Sequence, residues 1–207
     1  MTKLEIFACA FNVWGVWLTA RQQRACWPVS IVAVAMYACL FHRWKLYSDM
    51  LLQGVYIVLQ CWGWLRWSRQ RETAGTIIIQ PLSHRGLMLS LLAAAIMTAL
   101  LGGLMGHYTN ASMPWLDASL TAASLVASAW TARRHLQTWL LWIVIDGLYV
   151  AVFMYRHLPV TAGLYLLFVG LAAYGYVTWR SRASNESVTS CATGHSMADA
   201  HIARHPG

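Results

Sequence analysis

Seven apolar runs, at residues 4–20, 27–41, 46–67, 86–106, 114–132, 138–155 and 159–179, leave this chain few ways to fold. A hydrocarbon core of about 30 Å is crossed by roughly 20 apolar residues in helical form, and each run approaches that length. Inside a bilayer every backbone N–H and C=O must be satisfied within the protein, which leaves helices or closed barrels. These runs are too long for barrel strands and lack their period-two alternation. The expected fold class is all-α integral membrane, with seven transmembrane helices. Only 11% of the chain is charged against 58% hydrophobic, which excludes an ordinary soluble domain.

The sixth run, TWLLWIVIDGLYVAVFMY, carries a carboxylate near its middle. Trp139, Trp142, Asp146, Tyr149 and Phe153 recur at three- and four-residue steps, so a helix gathers them on one face. An Asp at that depth costs about 2.5–3.5 kcal/mol, while each Leu, Ile, Val or Phe returns about 0.3–0.6 kcal/mol, so the helix still inserts. A carboxylate retained at that cost, with aromatic rings on its own face, points to a flat, positively charged ligand. A second stripe, Gln53, Tyr56, Gln60, Trp64 and Trp67, runs along the third segment, and its amides and phenol can hydrogen-bond a polar ligand. Asn12, beside Gly15, and the Tyr174-Gly175-Tyr176 triplet complete the polar and aromatic sets at membrane depth. Gln and Asn in a bundle also serve simply as interhelical glue. Trp27, Trp44, Trp67, Trp115 and Trp179 stand at segment ends, where an interfacial aromatic belt accounts for them.

The charges orient the bundle. Eleven arginines (21, 24, 66, 69, 71, 85, 133, 134, 180, 182 and 204) fall on one side, against Lys3, Arg43, Lys45 and Arg156 on the other. The positive-inside rule then puts the N-terminus outside and the C-terminus in the cytoplasm. Glu5, Asp49 and Asp117 fall at the outer ends. The net charge of +8 is scattered between apolar runs, with no basic helical stripe, so nucleic acid is not an expected partner. The start reads as a first membrane helix, since no small-residue cleavage site follows its apolar stretch. The five cysteines form no CxxC pair and read as reduced core thiols. No second carboxylate, His or Ser–His arrangement lies at the depth of Asp146, and no phosphate-binding Gly loop is present, so neither an enzyme nor an ATP-driven pump is expected. No cofactor or metal is expected either; His201 and His205 stand four apart, but in a tail rich in Ser, Thr and Ala.

A shift of 112 positions superimposes the chain on itself. Thr19-Ala20-Arg21 falls on Thr131-Ala132-Arg133, Trp27 on Trp139, Tyr37 on Tyr149, Phe41 on Phe153, Leu46 on Leu158, Gly63 on Gly175 and Trp67 on Trp179, among thirteen identities over residues 19–67. Three helices per half is an odd number, so the fourth segment must restore the orientation. This predicts a 3+1+3 plan with parallel repeats related by an axis along the membrane normal, where transporters bind substrate near the midplane. The divisions are a first three-helix repeat at 1–67, a cytoplasmic loop with the linking helix at 68–113, a second repeat at 114–180, and a disordered cytoplasmic tail at 181–207.

The runs TWLLWIVID (138–146) and LYSDMLLQGVYIVLQCWGWLRW (46–67), with the order of helices, resemble the PnuC-type vitamin transporters. The resemblance spans about residues 4–181. It implies a SWEET-like 3+1+3 fold in the bacterial inner membrane, homotrimers, and uptake of nicotinamide riboside by facilitated diffusion, with cytoplasmic phosphorylation trapping the substrate. It also implies substrate contacts at Gln53, Trp139, Trp142 and Asp146. The chain departs from the riboside carriers in having Asp146, Tyr174 and Gln60 where Asn is usual. Relatives of the same kind carry thiamine, riboflavin or deoxynucleosides.

The expected function is therefore uptake of a small cationic vitamin, nicotinamide riboside first and thiamine or riboflavin as alternatives. The site is expected at Trp139, Trp142, Asp146, Gln53, Gln60, Asn12 and Tyr149. Two further alternatives are a proton-coupled carrier with Asp146 as the proton site and a non-transporting membrane assembly subunit.

Overall fold

The computed structural model describes residues 3–43, 45, 47–74, 78–108 and 113–202. Trp44, Leu46, Arg204 and His205 lie outside these residues. The described chain forms seven helices: α1 (Lys3–Ala20), α2 (Cys26–Arg43), α3 (Tyr47–Ala74), α4 (His84–Tyr108), α5 (Pro114–Arg133), α6 (Gln137–Tyr155) and α7 (Pro159–Ile202). Four of them, α2, α4, α6 and the 159–184 part of α7, are long and apolar enough to cross a membrane by themselves. The remaining three, α1, α3 and α5, alternate with these along the chain.

The helices close into a ring. α1 packs on α2 and α7, α2 on α3, α3 on α5, α5 on α6, and α6 on α7. Moving each by 112 residues turns α1, α2 and α3 into α5, α6 and α7, and the α1–α7 seam into the α5–α3 seam. The ring therefore repeats itself about an axis, as the 3+1+3 plan requires. The backbone keeps the same register. Among the described residues the non-glycine positions with positive φ are Gln22 (58°) and Arg134 (65°), then Lys45 (60°) and His157 (56°), two pairs each 112 apart. Each follows the end of its helix, where a left-handed residue turns the chain and satisfies the last carbonyls; Arg134 N–H reaches the Thr131 and Trp130 carbonyls.

Helix α4 stands outside the ring against α5. It presents Met88, Leu89, Leu92, Leu100 and Leu104 outward, as lipid contact allows. Trp130 Nε1 donates to Ser90 Oγ at 3.0 Å. Lower on the same seam, the Trp115 ring lies against Gly102, where a Cβ would meet it at 2.6 Å.

At the arginine-rich end, four indoles close the ring. Trp27 meets Trp67 edge-on (5.3 Å, 88°), Trp139 meets Trp179 in the same way (5.4 Å, 86°), and Trp67 touches Trp179 across the axis (6.0 Å, 51°). Trp67 and Trp179 have no exposed surface at all. Each edge-on pair contributes about 0.5–1.5 kcal/mol beyond simple burial. Trp27 lies on Gly63 and Trp139 on Gly175, positions where only glycine leaves room for a ring against the helix. Tryptophans 27, 67 and 179 are thus buried packing groups rather than the interfacial belt that their segment-end positions suggest. The belt reading fits Trp115, which is 59% exposed.

Two boundaries differ from the sequence reading. Helix α3 continues to Ala74, through residues 68–74 that read as loop, because Arg, Gln and Glu favour helix and no Gly intervenes before position 75. Helix α7 continues to Ile202, through a stretch that composition reads as disordered; extending an existing helix carries no nucleation cost.

Beyond α3 the chain returns to dock on the α5–α6 turn. Gln80 N–H donates to the Arg134 carbonyl at 3.1 Å, and His135 Nδ1 donates to the Gln80 carbonyl at 3.0 Å. Burial, reinforced by Arg133, Arg66 and Arg134, holds His135 below its usual 6.5, although the bond to Gln80 opposes the shift. A depressed His favours folding when neutral. Its contribution is complete above pH 6.5 and is lost as pH falls through the lower folded value. We expect proteolysis at residues 78–82 to increase on acidification from pH 7.5 to 5, and His135→Gln to flatten that profile.

Candidate functional site

The aromatic face of α6 turns into the ring. Asp146 is 6% exposed, so it faces protein rather than lipid. Among the described residues no Lys, Arg or His acts on it. Beside it, Ile145 packs on Leu120 and Ala127 of α5. Trp142, half-buried, touches both this cluster and the tryptophan closure, linking mid-helix to the arginine-rich end.

Toward the other end, rings of α6 and α7 stack on one another. Tyr149 stacks on Tyr165 of α7 (4.7 Å, 29°), and Phe153 stacks on both Tyr165 (5.3 Å, 19°) and Tyr149 (6.1 Å, 21°). Asp146 lies within electrostatic reach of Tyr149 and Tyr165, as does Tyr56 of α3. Tyr56 lies beside Ser124 of α5. A cavity of about 180 Å³ opens past Tyr149, lined by Leu116, Asp117, Leu120, Val152, Phe153 and Arg156 among others. Ligand pockets usually measure about 300–1,000 Å³. The helices must therefore separate further to admit a nucleoside-sized molecule.

The sequence-derived residues fall in two places. Asp146, Trp142 and Tyr149 share one face, with Tyr56 opposite. Gln53 and Gln60 are half-buried on α3, and Gln60 Oε1 is buried without a hydrogen-bond partner. Asn12 is half-buried on α1, one turn from Gly15. Trp139 stands apart: seven residues from Asp146, about 10 Å along the helix, it belongs to the four-indole closure. Trp64, 43% exposed, lies on an outer face rather than in the α3 stripe where helical spacing suggested it, and Tyr174 of the Tyr174-Gly175-Tyr176 triplet is likewise 46% exposed.

Tyr165 is the residue that sequence reasoning missed. It is the repeat mate of Gln53, and that relation was the available signal. The repeat also exposes an asymmetry. Tyr37 and Phe41 stack (6.2 Å, 26°) as Tyr149 and Phe153 do, but the mate of Asp146 is Val34 and the mate of Trp142 is Ser30. Only the second half carries the carboxylate. Among the described residues, no three His, Cys, Asp or Glu side chains gather as metal ligands.

Comparisons with known proteins agree with this architecture. A family model described as nicotinamide mononucleotide transporter matches residues 2–181. The nicotinamide riboside transporter PnuC of Neisseria mucosa is 28% identical over 162 residues, covering 72% of this chain and 61% of that protein. Its Escherichia coli K12 counterpart is 26% identical over 174 residues, covering 72% and 73%. The riboflavin/roseoflavin transporter RibM of Streptomyces davaonensis is 24% identical over 166 residues, covering 78% and 76%. A crystal structure of the vitamin B3 transporter PnuC shares the fold, with a TM-score of 0.70 at 23% identity over 88% of this chain and 82% of that one.

Proposed function

The chain belongs to the nicotinamide mononucleotide transporter family, and from that premise we propose that it carries nicotinamide riboside into the cell by facilitated diffusion. The observation that carries the reading is Asp146, buried among aromatic rings with no basic neighbour among the described residues. The pyridinium of the riboside is a flat permanent cation. Indole and phenol faces attract such a ring by about 0.5–2 kcal/mol each, and Asp146 supplies the counter-charge. The ring lodges by Trp142 and Tyr149, near Tyr165; its polar groups reach Gln53, Gln60 and Asn12; Trp139 forms the floor. Thiamine, with its cationic thiazolium, meets the same requirements and is the second reading. Neutral riboflavin would gain only a hydrogen-bond acceptor from Asp146.

Two units move, residues 1–67 and 114–180, with 68–113 as the link and 181–207 as the tail. The protein sits in the inner membrane with its N-terminus outside, so the four-indole closure shuts the cytoplasmic end and parts when the units rock. A homotrimer belongs to the same reading, and crosslinking in membranes counts its protomers.

An interior negative by 100 mV favours a monovalent cation by about 2.3 kcal/mol, roughly fifty-fold. Ion coupling is therefore unnecessary. In proteoliposomes, a potassium diffusion potential, negative inside, should drive accumulation of radiolabelled riboside with no pH gradient. Accumulation that instead needs a proton gradient, and loses that coupling in Asp146→Asn, would establish the proton-coupled carrier in its place.

A further inference from the structure

The arginine-rich end holds a feature that vitamin transport does not use. At the seam between α3 and α5, Arg134 is 3% exposed, and its Nε and Nη1 atoms are buried with no hydrogen-bond partner. Arg66 Nε, across the seam, is buried without a partner too. The two are close enough for Arg66 to act on Arg134 as a like charge. Arg133 and Arg66 both lie over the Trp62 ring, each guanidinium carbon 5.7 Å from its centre. Helix α6 starts alongside, with no side-chain cap on its first turn. Every acid whose side chain is described lies elsewhere: Glu5, Asp49 and Asp117 at the opposite end, and Asp146 in mid-helix.

The repeat supplies an internal control. The mate of Arg134 is Gln22, a neutral amide whose oxygen is paired: Arg182 Nη1 donates to Gln22 Oε1 at 2.8 Å and to the Arg21 carbonyl at 3.2 Å. The mate of Arg182 is Gln70, whose amide can accept from a guanidinium but cannot neutralise it. One seam therefore buries an amide, with its arginine outside and hydrogen-bonded. The other buries the Arg134 guanidinium beside the half-buried Arg66, whose Nε is enclosed, and, among the described side chains, holds no counter-charge. Buried unpaired charge is costly, and guanidinium forks match phosphate oxygens bidentately. The start of α6 adds a favourable dipole end, while its Thr138 and Trp139 amides are already taken by the His135 and Leu136 carbonyls.

We infer that Arg66, Arg133, Arg134 and the first turn of α6 form a binding site for a phosphate group at the α3–α5 seam, supplied by an anionic lipid headgroup or by a soluble phosphate. The site is independent of which vitamin is carried. Its test uses the full chain, purified and stripped of lipid, with thermal unfolding followed against three additions: short-chain phosphatidylglycerol, short-chain phosphatidylcholine and inorganic phosphate. Phosphatidylglycerol should raise the midpoint saturably, by roughly 5 °C, and phosphatidylcholine should not. A rise with inorganic phosphate at millimolar concentration assigns the soluble source. The rise should vanish in Arg134→Gln and persist in Arg180→Gln, an exposed arginine at the same end. If Arg134→Gln does not fold, Arg66→Gln gives the same reading. An equal response in Arg134→Gln and wild type overturns the site. So does a response seen only in Glu72→Gln, which would mean that this acid is the internal counter-ion.

Discussion

Replacing Asp146 with alanine should weaken nicotinamide riboside binding at least tenfold while leaving the protein as stable as before, or more so. At about 5 Å and an effective dielectric near 20, a carboxylate attracts a monovalent cation by ~3 kcal/mol. Part of that is offset by desolvating both charges, so tenfold is a lower bound. Stability moves the other way, because a lone buried carboxylate is a cost to the bundle, not a brace. Asp146→Asn keeps the shape and a hydrogen-bond acceptor but loses the charge. If charge is the determinant, calorimetric titration should place Asn beside Ala for the riboside and for thiamine, with riboflavin almost indifferent. Unchanged riboside affinity in both variants would remove Asp146 from the site.

The second large effect belongs to the tryptophan closure. A Cβ at Gly175 would lie 2.7 Å from three atoms of the Trp139 ring, whose edge is already held by Trp179. The ring cannot retreat without disturbing its neighbour, so overpacking should cost about 1–3 kcal/mol. Gly175→Val is expected to lower the unfolding midpoint by several degrees and to make the closure leak, raising uptake of small cations that the wild type excludes. Gly63→Val should repeat the result through Trp27, since the geometry there is its counterpart. Pairing Gly175→Val with Trp139→Ala removes the clash, and a double-mutant cycle should then show strong coupling. Additive losses would mean that the glycine serves some purpose other than seating the indole.

These two sites were not equally legible. The apolar runs, the shift of 112 and the face of α6 follow from residue spacing, which lipid and helix geometry translate directly into structure. Asp146 could be singled out because a carboxylate at that depth has few inexpensive explanations. The closure was not legible. A tryptophan near the end of a segment reads the same whether it lies at the lipid headgroups or against another helix, and only the approach of α3 to α7 at Trp67 and Trp179 decides between them. Trp64 misleads for a related reason: a three-and-four stripe is broad, and the true inward face of α3 runs through Gly63 and Trp67. Tyr165 was hidden in a plain apolar run, LYLLF, where nothing local separates a packing ring from one beside a charge. Arg134 counted merely as one more positive charge, because exposure and pairing are not properties of spacing.

Duplicated halves ordinarily bring duplicated equipment, and two carboxylates facing each other across so narrow a bundle would have repelled one another or shared a proton. Here Val34 occupies the twin position. On the proposed reading, the carrier would take one passenger per chain and per cycle, held off-centre against the C-terminal half, with the N-terminal half as the wall that swings past it.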